Sequence, residues 1–237
     1  MNSALIRVDD LSFTYPDGTA ALQNLSFTIA PGEKVALMGA NGAGKSTLLM
    51  VMCGVLHGHV HGRVELFGLE LGPGNLRQIR QKLGVVFQNP DDQLFCPTVM
   101  DDVAFGPRNM KLGKDEVDQR SRLALAAVGL AGFEQRSPFH LSLGEKRRAA
   151  IATVISMRPE LLVLDEPTSL LDGRGRREVM TLLETLGGTQ LIISHDLALI
   201  GRLCNRAIVL SRGQLVADRP AAAVLADTAL LETQGLA

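Results

Sequence analysis

The sequence predicts an α/β fold on a largely parallel sheet, and three observations predict it. Apolar runs such as Leu161-Leu-Val-Leu164 and Leu191-Ile-Ile193 are of strand length and do not alternate, as strands covered on both faces require. From Leu161 onward such runs take turns with helical spacing: Leu161 to Asp165, Arg176 to Leu186, Gln190 to Ser194, Leu197 to Leu203 and Ala207 to Leu210. Earlier, the glycine-rich run GANGAGKST (Gly39 to Thr47) lies between Val35-Ala-Leu-Met38 and Leu48-Leu-Met-Val-Met52, which reads as strand, loop and helix.

Taken in order, Leu5 to Tyr15 alternates loosely and stops at Pro16-Asp17-Gly18, and Leu22 to Ile29 alternates up to Pro31-Gly32-Glu33. Arg63 to Phe67 reads as a short strand and Gly84 to Gln88 as a more buried one, so the first third is expected to carry an antiparallel β-subdomain beside the glycine-rich loop. From about Asp91 to Arg158 helical spacing takes over, with apolar stripes over Val117–Val128 and Gly144–Met157, the second ended by Pro159. This block, about 91–158, is expected as a helical subdomain inserted into the core of a single domain spanning 1–237. The alanine-rich tail, 219–237, is expected to be helical and to carry no chemistry.

Composition narrows the class. The 237 residues are 46% hydrophobic and 21% charged, as in an ordinary globular chain, with a formal net charge of -1. Nothing in that balance favours nucleic acid or an anionic membrane surface. The N-terminus carries acidic residues where a signal peptide has a basic end, and no apolar run nears the ~20 residues that span a bilayer. A soluble cytoplasmic chain is the expectation. Cys53, Cys96 and Cys204 have no metal-site spacing and read as small buried apolar residues.

The full G-x-x-x-x-G-K-S pattern points to a nucleoside triphosphate. Gly39, Ala40, Asn41, Gly42, Ala43 and Gly44 form a loop that can curl and aim backbone N–H groups at one anion. The helix opening at Lys45, Ser46 and Thr47 adds unpaired N–H groups and the positive end of its dipole. Lys45 is expected to reach the β- and γ-phosphates, and the Ser46 hydroxyl to sit on Mg2+. Asp165-Glu166 ends a buried strand, where ligands of parallel sheets gather. Asp165 is the candidate for holding magnesium and Glu166 for polarising the attacking water. Gln88 closes another strand and could ligate magnesium or orient water. His195 follows the Leu191–Ser194 strand and could bond the γ-phosphate and align Glu166. Read alone, a glutamine at a strand end means little. A lone histidine is usually an ordinary surface or core residue, but the place of His195 at a third strand end on the same edge favours a role as much as it does the ordinary reading.

With Leu141-Ser-Leu-Gly-Glu-Lys-Arg-Arg148 and Ser194-His-Asp196 added, the ordered set of motifs resembles the ATPase subunit of an ATP-binding-cassette transporter, from about Leu5 to Leu225. The resemblance implies a P-loop NTPase (RecA-like) core and a head-to-tail dimer that sandwiches two ATP molecules. Ser142 and Gly144 would then contact the γ-phosphate held by the other copy's Lys45. Asp172, in Ser169-Leu-Leu-Asp172, would sit at the subunit contact, and Tyr15 would stack on adenine. The signature departs from the family's L-S-G-G-Q, since Leu143 replaces a glycine and Glu145 a glutamine. Glu145 creates a possible capping box with Ser142 that competes with phosphate for the serine hydroxyl, so the trans contact is expected only when ATP closes the dimer.

Phe87-Gln-Asn-Pro-Asp-Asp-Gln-Leu-Phe95 and Val103-Ala-Phe-Gly-Pro107 are similar to energy-coupling-factor and cobalt/nickel importer ATPases. Cys96-Pro-Thr-Val99 and Gly144 to Thr153 bring the cobalt/nickel branch closest, with vitamin importers as the alternative. The resemblance implies a transmembrane coupling protein and a membrane substrate-capture protein as partners, no nucleic acid, and a peripheral place on the cytoplasmic face of the membrane. Phe95 and Phe105 are candidate contacts for that partner or core residues. Many relatives continue past the equivalent of Leu236 with an extension that helps hold the dimer. This sequence stops at Ala237, which leaves the stability of a dimer without ATP open. His57-Gly-His-Val-His61 alternates as a metal-binding strand would, but falls where relatives have a surface connection. A guanine-reading N-K-x-D motif is absent, and so is the long coiled-coil insertion or second cassette of soluble relatives acting on DNA or ribosomes.

Overall fold

The computed structural model describes residues 4–236; the first three residues of the N-terminal segment and Ala237 lie outside the described residues. The chain divides into two compact units, one of residues 1–80 and 188–237, the other of residues 81–187.

The first unit opens with β1 (Ile6–Thr14) and β2 (Ala20–Ile29), antiparallel neighbours with alternating burial. Asp10 and Asn24 adopt φ 52° and 50°, and the β1 register jumps between Val8 and Leu11. Such a bulge returns Leu11 to the buried face despite two consecutive acidic residues. Next comes β3 (Lys34–Met38), fully buried from Val35 to Met38, then α1 (Lys45–Met52). After it, β4 (His59–Leu66) and the two-residue β5 (Leu69–Glu70) complete a four-stranded antiparallel sheet in the order β2-β1-β4-β5. The expected strand at Arg63–Phe67 is therefore longer and begins in the histidine run. His59 to Arg63 is exposed on both faces, so no burial pattern marked its start. The unit boundary falls within α2 (Leu76–Lys82), a helix the sequence reading did not anticipate.

The second unit begins with β6 (Leu83–Val86), which pairs in parallel with a strand farther along this unit. It ends two residues before Gln88, so Gln88 lies beyond the strand rather than closing it. A 3-10 turn at Pro90–Asp92 leads to α3 (Val99–Asn109), whose first turn is capped by Thr98 Oγ1 accepting from Asp101 N at 3.1 Å. The buried Asp102 on α3 accepts from Phe95 N at 3.0 Å and Cys96 N at 2.9 Å, which ties the preceding loop to the helix. Helix α4 (Lys114–Ala127) is stopped by Gly129 at φ 71°. Helix α5 (Leu143–Ile155) buries Arg147 with Ala149–Ala152 and Val154, and the chain turns away at Arg158 (φ 56°) before Pro159. Then β7 (Leu161–Asp165), the parallel partner of β6, leads to α6 (Gly173–Thr185).

The chain returns to the first unit with β8 (Thr189–Ile193), α7 (Leu197–Leu203), β9 (Arg206–Ser211) and β10 (Gln214–Pro220). Here the strand order is β10-β9-β3-β8, with β3 parallel to both neighbours and β10 antiparallel to β9. β3, flanked on both sides, is buried on both faces, which is why its sequence does not alternate. The tail differs from expectation at Arg219, which is still in β10; its helices are α8 (Ala221–Leu225) and α9 (Thr228–Thr233). Among the cysteines only Cys204 is buried. Cys53 and Cys96 are only partly covered, short of the full burial expected.

Candidate functional site

In the first unit, β3 delivers the chain into the loop Gly39–Gly44 and α1 takes it away. At Gly39, φ is 151°, and a Cβ there would lie 2.4 Å from the Leu210 carbonyl oxygen. Gly44 at φ 103° caps α1, and a Cβ there would come within 2.9 Å of the Ala21 carbonyl oxygen. Neither position accepts a side chain without moving backbone. Gly44 offers no side-chain cap, so the first-turn N–H groups of α1 point into the loop without a side-chain acceptor from the cap. Lys45 Nζ folds back to donate to the Gly39 carbonyl at 2.6 Å and the Ala40 carbonyl at 3.0 Å.

Beside this loop is a cleft of about 550 Å³ lined by Asn41 to Thr47, Tyr15, Thr19 to Ala21, Gln23 and Arg212. Tyr15 is fixed at both ends: its hydroxyl lies 3.0 Å from Thr47 Oγ1 and its ring packs edge-on against Phe13 at 5.0 Å. Arg212 was not anticipated. It occupies the β9–β10 turn (φ 47°), and the following Gly213 donates to the Ala43 carbonyl at 3.0 Å, which stitches that turn to the loop. His195 is exposed two residues past β8. Since β8 runs parallel to β3 with Ile193 opposite Leu37, His195 and the glycine-rich loop share one end of the sheet.

In the second unit, the β6–β7 register sets Val86 opposite Leu164, so Gln88 and Glu166 each lie two residues past a matched pair, at the same strand end. Asp165 is the last residue of β7, and Glu166 is 9% exposed at φ 45°. A non-glycine residue in that region is strained, and strain of this kind collects at functional positions. Behind them stands a residue the sequence reading missed. Arg147 is 1% exposed, its Nη1 donates to the Phe87 carbonyl at 2.9 Å, and the charges of Asp165 and Glu166 act on it. Burial lowers its guanidinium from the ordinary arginine value, and the two acids pull the other way. In the sequence it is hidden in the basic run Lys146-Arg-Arg148, although Ile151 and Val154 at helical spacing mark the buried face.

Ser142 caps α5 through the anticipated capping box. Glu145 Oε2 accepts from Ser142 N at 2.7 Å and from the Ser142 hydroxyl at 2.8 Å, while Ser142 Oγ accepts from Glu145 N at 3.4 Å. The Ser142 backbone N–H, and then its hydroxyl, hold the Glu145 carboxyl below the usual carboxylate range. Asp172 caps α6, accepting from Gly175 N at 2.7 Å. Ser142, Gly144 and Asp172 come together in one cleft of about 460 Å³, alongside Leu170, which is 86% exposed at φ 63°. Glu178 bridges Arg148 of α5 and Arg174 of α6.

The oxygen donors of Ser46, Gln88 and Asp165 are hard ligands of the kind magnesium takes. No group of three or more His, Cys, Asp or Glu side chains among the described residues is arranged to hold a metal ion, and the histidines at 57, 59 and 61 form no such group. No helix among the described residues is long and apolar enough to cross a membrane.

Comparison with known proteins places this geometry. The profile of the ABC transporter family matches residues 22–169. The energy-coupling factor transporter ATP-binding protein EcfA of Carboxydothermus hydrogenoformans is 45% identical, covering 100% of this chain and 87% of its own. Among solved structures, cbiO1 of Clostridium perfringens, part of the ABC transporter complex cbiONQ, is 36% identical with a TM-score of 0.86, covering 98% of this chain and 95% of its own. The ATP-binding cassette MJ0796, solved as a dimer in a post-hydrolysis state bound to ADP and Pi, is 28% identical with a TM-score of 0.79, over 91% of this chain and 98% of its own. The chain belongs to the ABC transporter family, as an ATP-binding subunit whose ATP hydrolysis is coupled to transport.

Proposed function

We propose that the chain powers an importer of the energy-coupling-factor type whose cargo is cobalt or nickel ions. What carries the nucleotide part is the phosphate cradle, with glycines enforced at 39 and 44, an uncapped helix start and Lys45 poised over the loop. The cargo rests on the resemblance of Cys96-Pro-Thr-Val99 and Gly144–Thr153 to the cobalt/nickel branch, and the likeness to cbiO1 supports it. The energy-coupling-factor name of the Carboxydothermus relative fits a second reading equally, a vitamin cargo such as biotin.

In this reading residues 1–237 act as one ATPase domain with the helical part, about 91–158, inserted. Backbone N–H groups of Gly39 to Thr47 surround the phosphates, and Lys45 leaves the Gly39 and Ala40 carbonyls for the β- and γ-phosphates. Tyr15, oriented by its bond to Thr47, stacks on adenine. Ser46, Gln88 and Asp165 hold magnesium, which when bound neutralises charge on the β- and γ-phosphates. Glu166 takes a proton from the attacking water. His195 bonds the γ-phosphate. Ser142 and Gly144 of a second copy complete the site, and Asp172 lies at that contact. The Ser142 hydroxyl must leave Glu145 to do so, which confines the contact to the ATP-closed dimer.

Phe87, Phe95 and Phe105 border a groove of about 230 Å³ in the second unit, with Phe95 59% exposed and stacked edge-on to Phe105 at 5.0 Å. We assign this groove to the transmembrane coupling protein, which places the chain at the cytoplasmic face of the membrane. Vesicles carrying the chain with its membrane partners should take up radioactive cobalt or nickel when ATP is supplied. Uptake of a B-vitamin instead of metal would transfer the cargo to the second reading. Hydrolysis with no ATP-dependent uptake of either would end the importer reading.

A further inference from the structure

Phe87, the residue before Gln88, has both its backbone polar groups held by the signature helix. Its N–H donates to Gln93 Oε1 at 3.1 Å, and Gln93 Nε2 in turn donates to the Ala150 carbonyl at 2.9 Å and to Thr153 Oγ1 at 2.7 Å, both on α5. Its carbonyl accepts from Arg147 Nη1, also on α5, at 2.9 Å. The turn that presents Gln88 is thus bound at two points to the helix whose first residues follow Ser142. Arg147 is a costly choice for packing alone, because a buried guanidinium must be desolvated, and its Nε is buried without a hydrogen-bond partner. The charges that face it are those of Asp165 and Glu166. Phe87, Gln93 and Thr153 also line the aromatic groove, so whatever presses on that groove touches the fastening itself.

We propose that Arg147 and Gln93 are positioning residues that lock the Gln88 turn to α5. Through them the groove, Gln88 and the Asp165–Glu166 pair are set by the placement of one helix. The inference rests on the roles given above to Gln88 and Glu166.

The test uses the purified full-length chain with Gln93→Leu, Arg147→Met and Arg147→Lys, following ATP hydrolysis and hydrogen exchange. Gln93→Leu puts a side chain of similar size there and removes all three bonds. It should lower kcat by roughly tenfold with KM for ATP within about threefold of wild type, as loss of an arrangement used only in turnover requires. Exchange in the peptide carrying Phe87 and Gln88 should rise while α5 stays protected. Arg147→Met takes away one side of a buried charge arrangement and leaves Asp165 and Glu166 without their cation. It should therefore lower the melting temperature, and the folded protein should lose kcat in the same way. Arg147→Lys should recover part of it. Wild-type kcat in Gln93→Leu despite faster exchange at Phe87 overturns the proposal, and that variant decides alone if Arg147→Met does not fold. Lys45→Ala serves as the separate control. ATP binding that survives it would count against the nucleotide reading, whereas a lost kcat in Gln93→Leu with Lys45→Ala behaving as expected sustains both.

Discussion

The glycine-rich loop and the signature cleft hold their shapes by different means. In the loop, backbone sterics decide: Gly39 and Gly44 sit where a Cβ would meet a carbonyl oxygen, and no side-chain hydrogen bond caps the helix. In the signature cleft, exchangeable side-chain bonds decide: Ser142 with Glu145, Asp172 with Gly175 N, and Glu178 with two arginines. In the proposed reading the first is a preformed receptor for phosphate. The second satisfies its own polar groups, which in the proposed reading suits a surface that must engage and release another copy. Binding and turnover are therefore expected to fail separately, and substitutions can be ranked by which kind of restraint they break.

The largest effect is expected from Glu166→Gln, which keeps shape and removes the proton acceptor. Hydrolysis should fall by at least about 100-fold while ATP binding survives, trapping an ATP-bound dimer visible by size-exclusion chromatography. Full turnover would remove Glu166 from the general-base role. Next comes Gly39→Ala, which sets a methyl group against the Leu210 carbonyl. A cost of about 1–3 kcal/mol is expected, read as a lower melting temperature together with weakened ATP binding. Unchanged stability would mean that the loop is not sterically locked. A smaller effect is expected from Glu145→Gln, which restores the glutamine of the L-S-G-G-Q pattern. It replaces a charge-assisted bond to the Ser142 hydroxyl with a neutral one, a difference of about 1 kcal/mol, so dimer closure should need roughly fivefold less ATP. An unchanged or higher ATP requirement would show that the capping box does not compete with phosphate. The smallest is an acid effect on the same bond. Because the folded Glu145 carboxyl lies below its ordinary value, its contribution to α5 is present above that value and lost as pH falls through the folded one. Glu145→Gln should flatten that part of the stability profile.

The same contrast explains what could be read from sequence. The loop and the β7 strand were legible because each signal is contiguous: a fixed glycine spacing, or an unbroken apolar run ending in two acids. The capping box was legible too, since both partners lie within one turn. The start of β4 was not, because His59 to Arg63 faces solvent on both sides and pairing with β1 alone defines it. Arg147 was hidden because its partner, the Phe87 carbonyl, is 60 residues away and a Lys-Arg-Arg run reads as a solvated face. Arg219 read as the head of a helix, although antiparallel pairing with Ala207 keeps it in β10.

Whether the preformed loop of one copy needs the exchangeable cleft of another is answered most directly by the ATPase rate per chain as the protein is diluted at saturating ATP. If the site is shared, the rate per chain should fall toward zero as dimers separate and recover on concentration. A rate per chain that stays constant down to concentrations where only monomers remain would contradict a shared site.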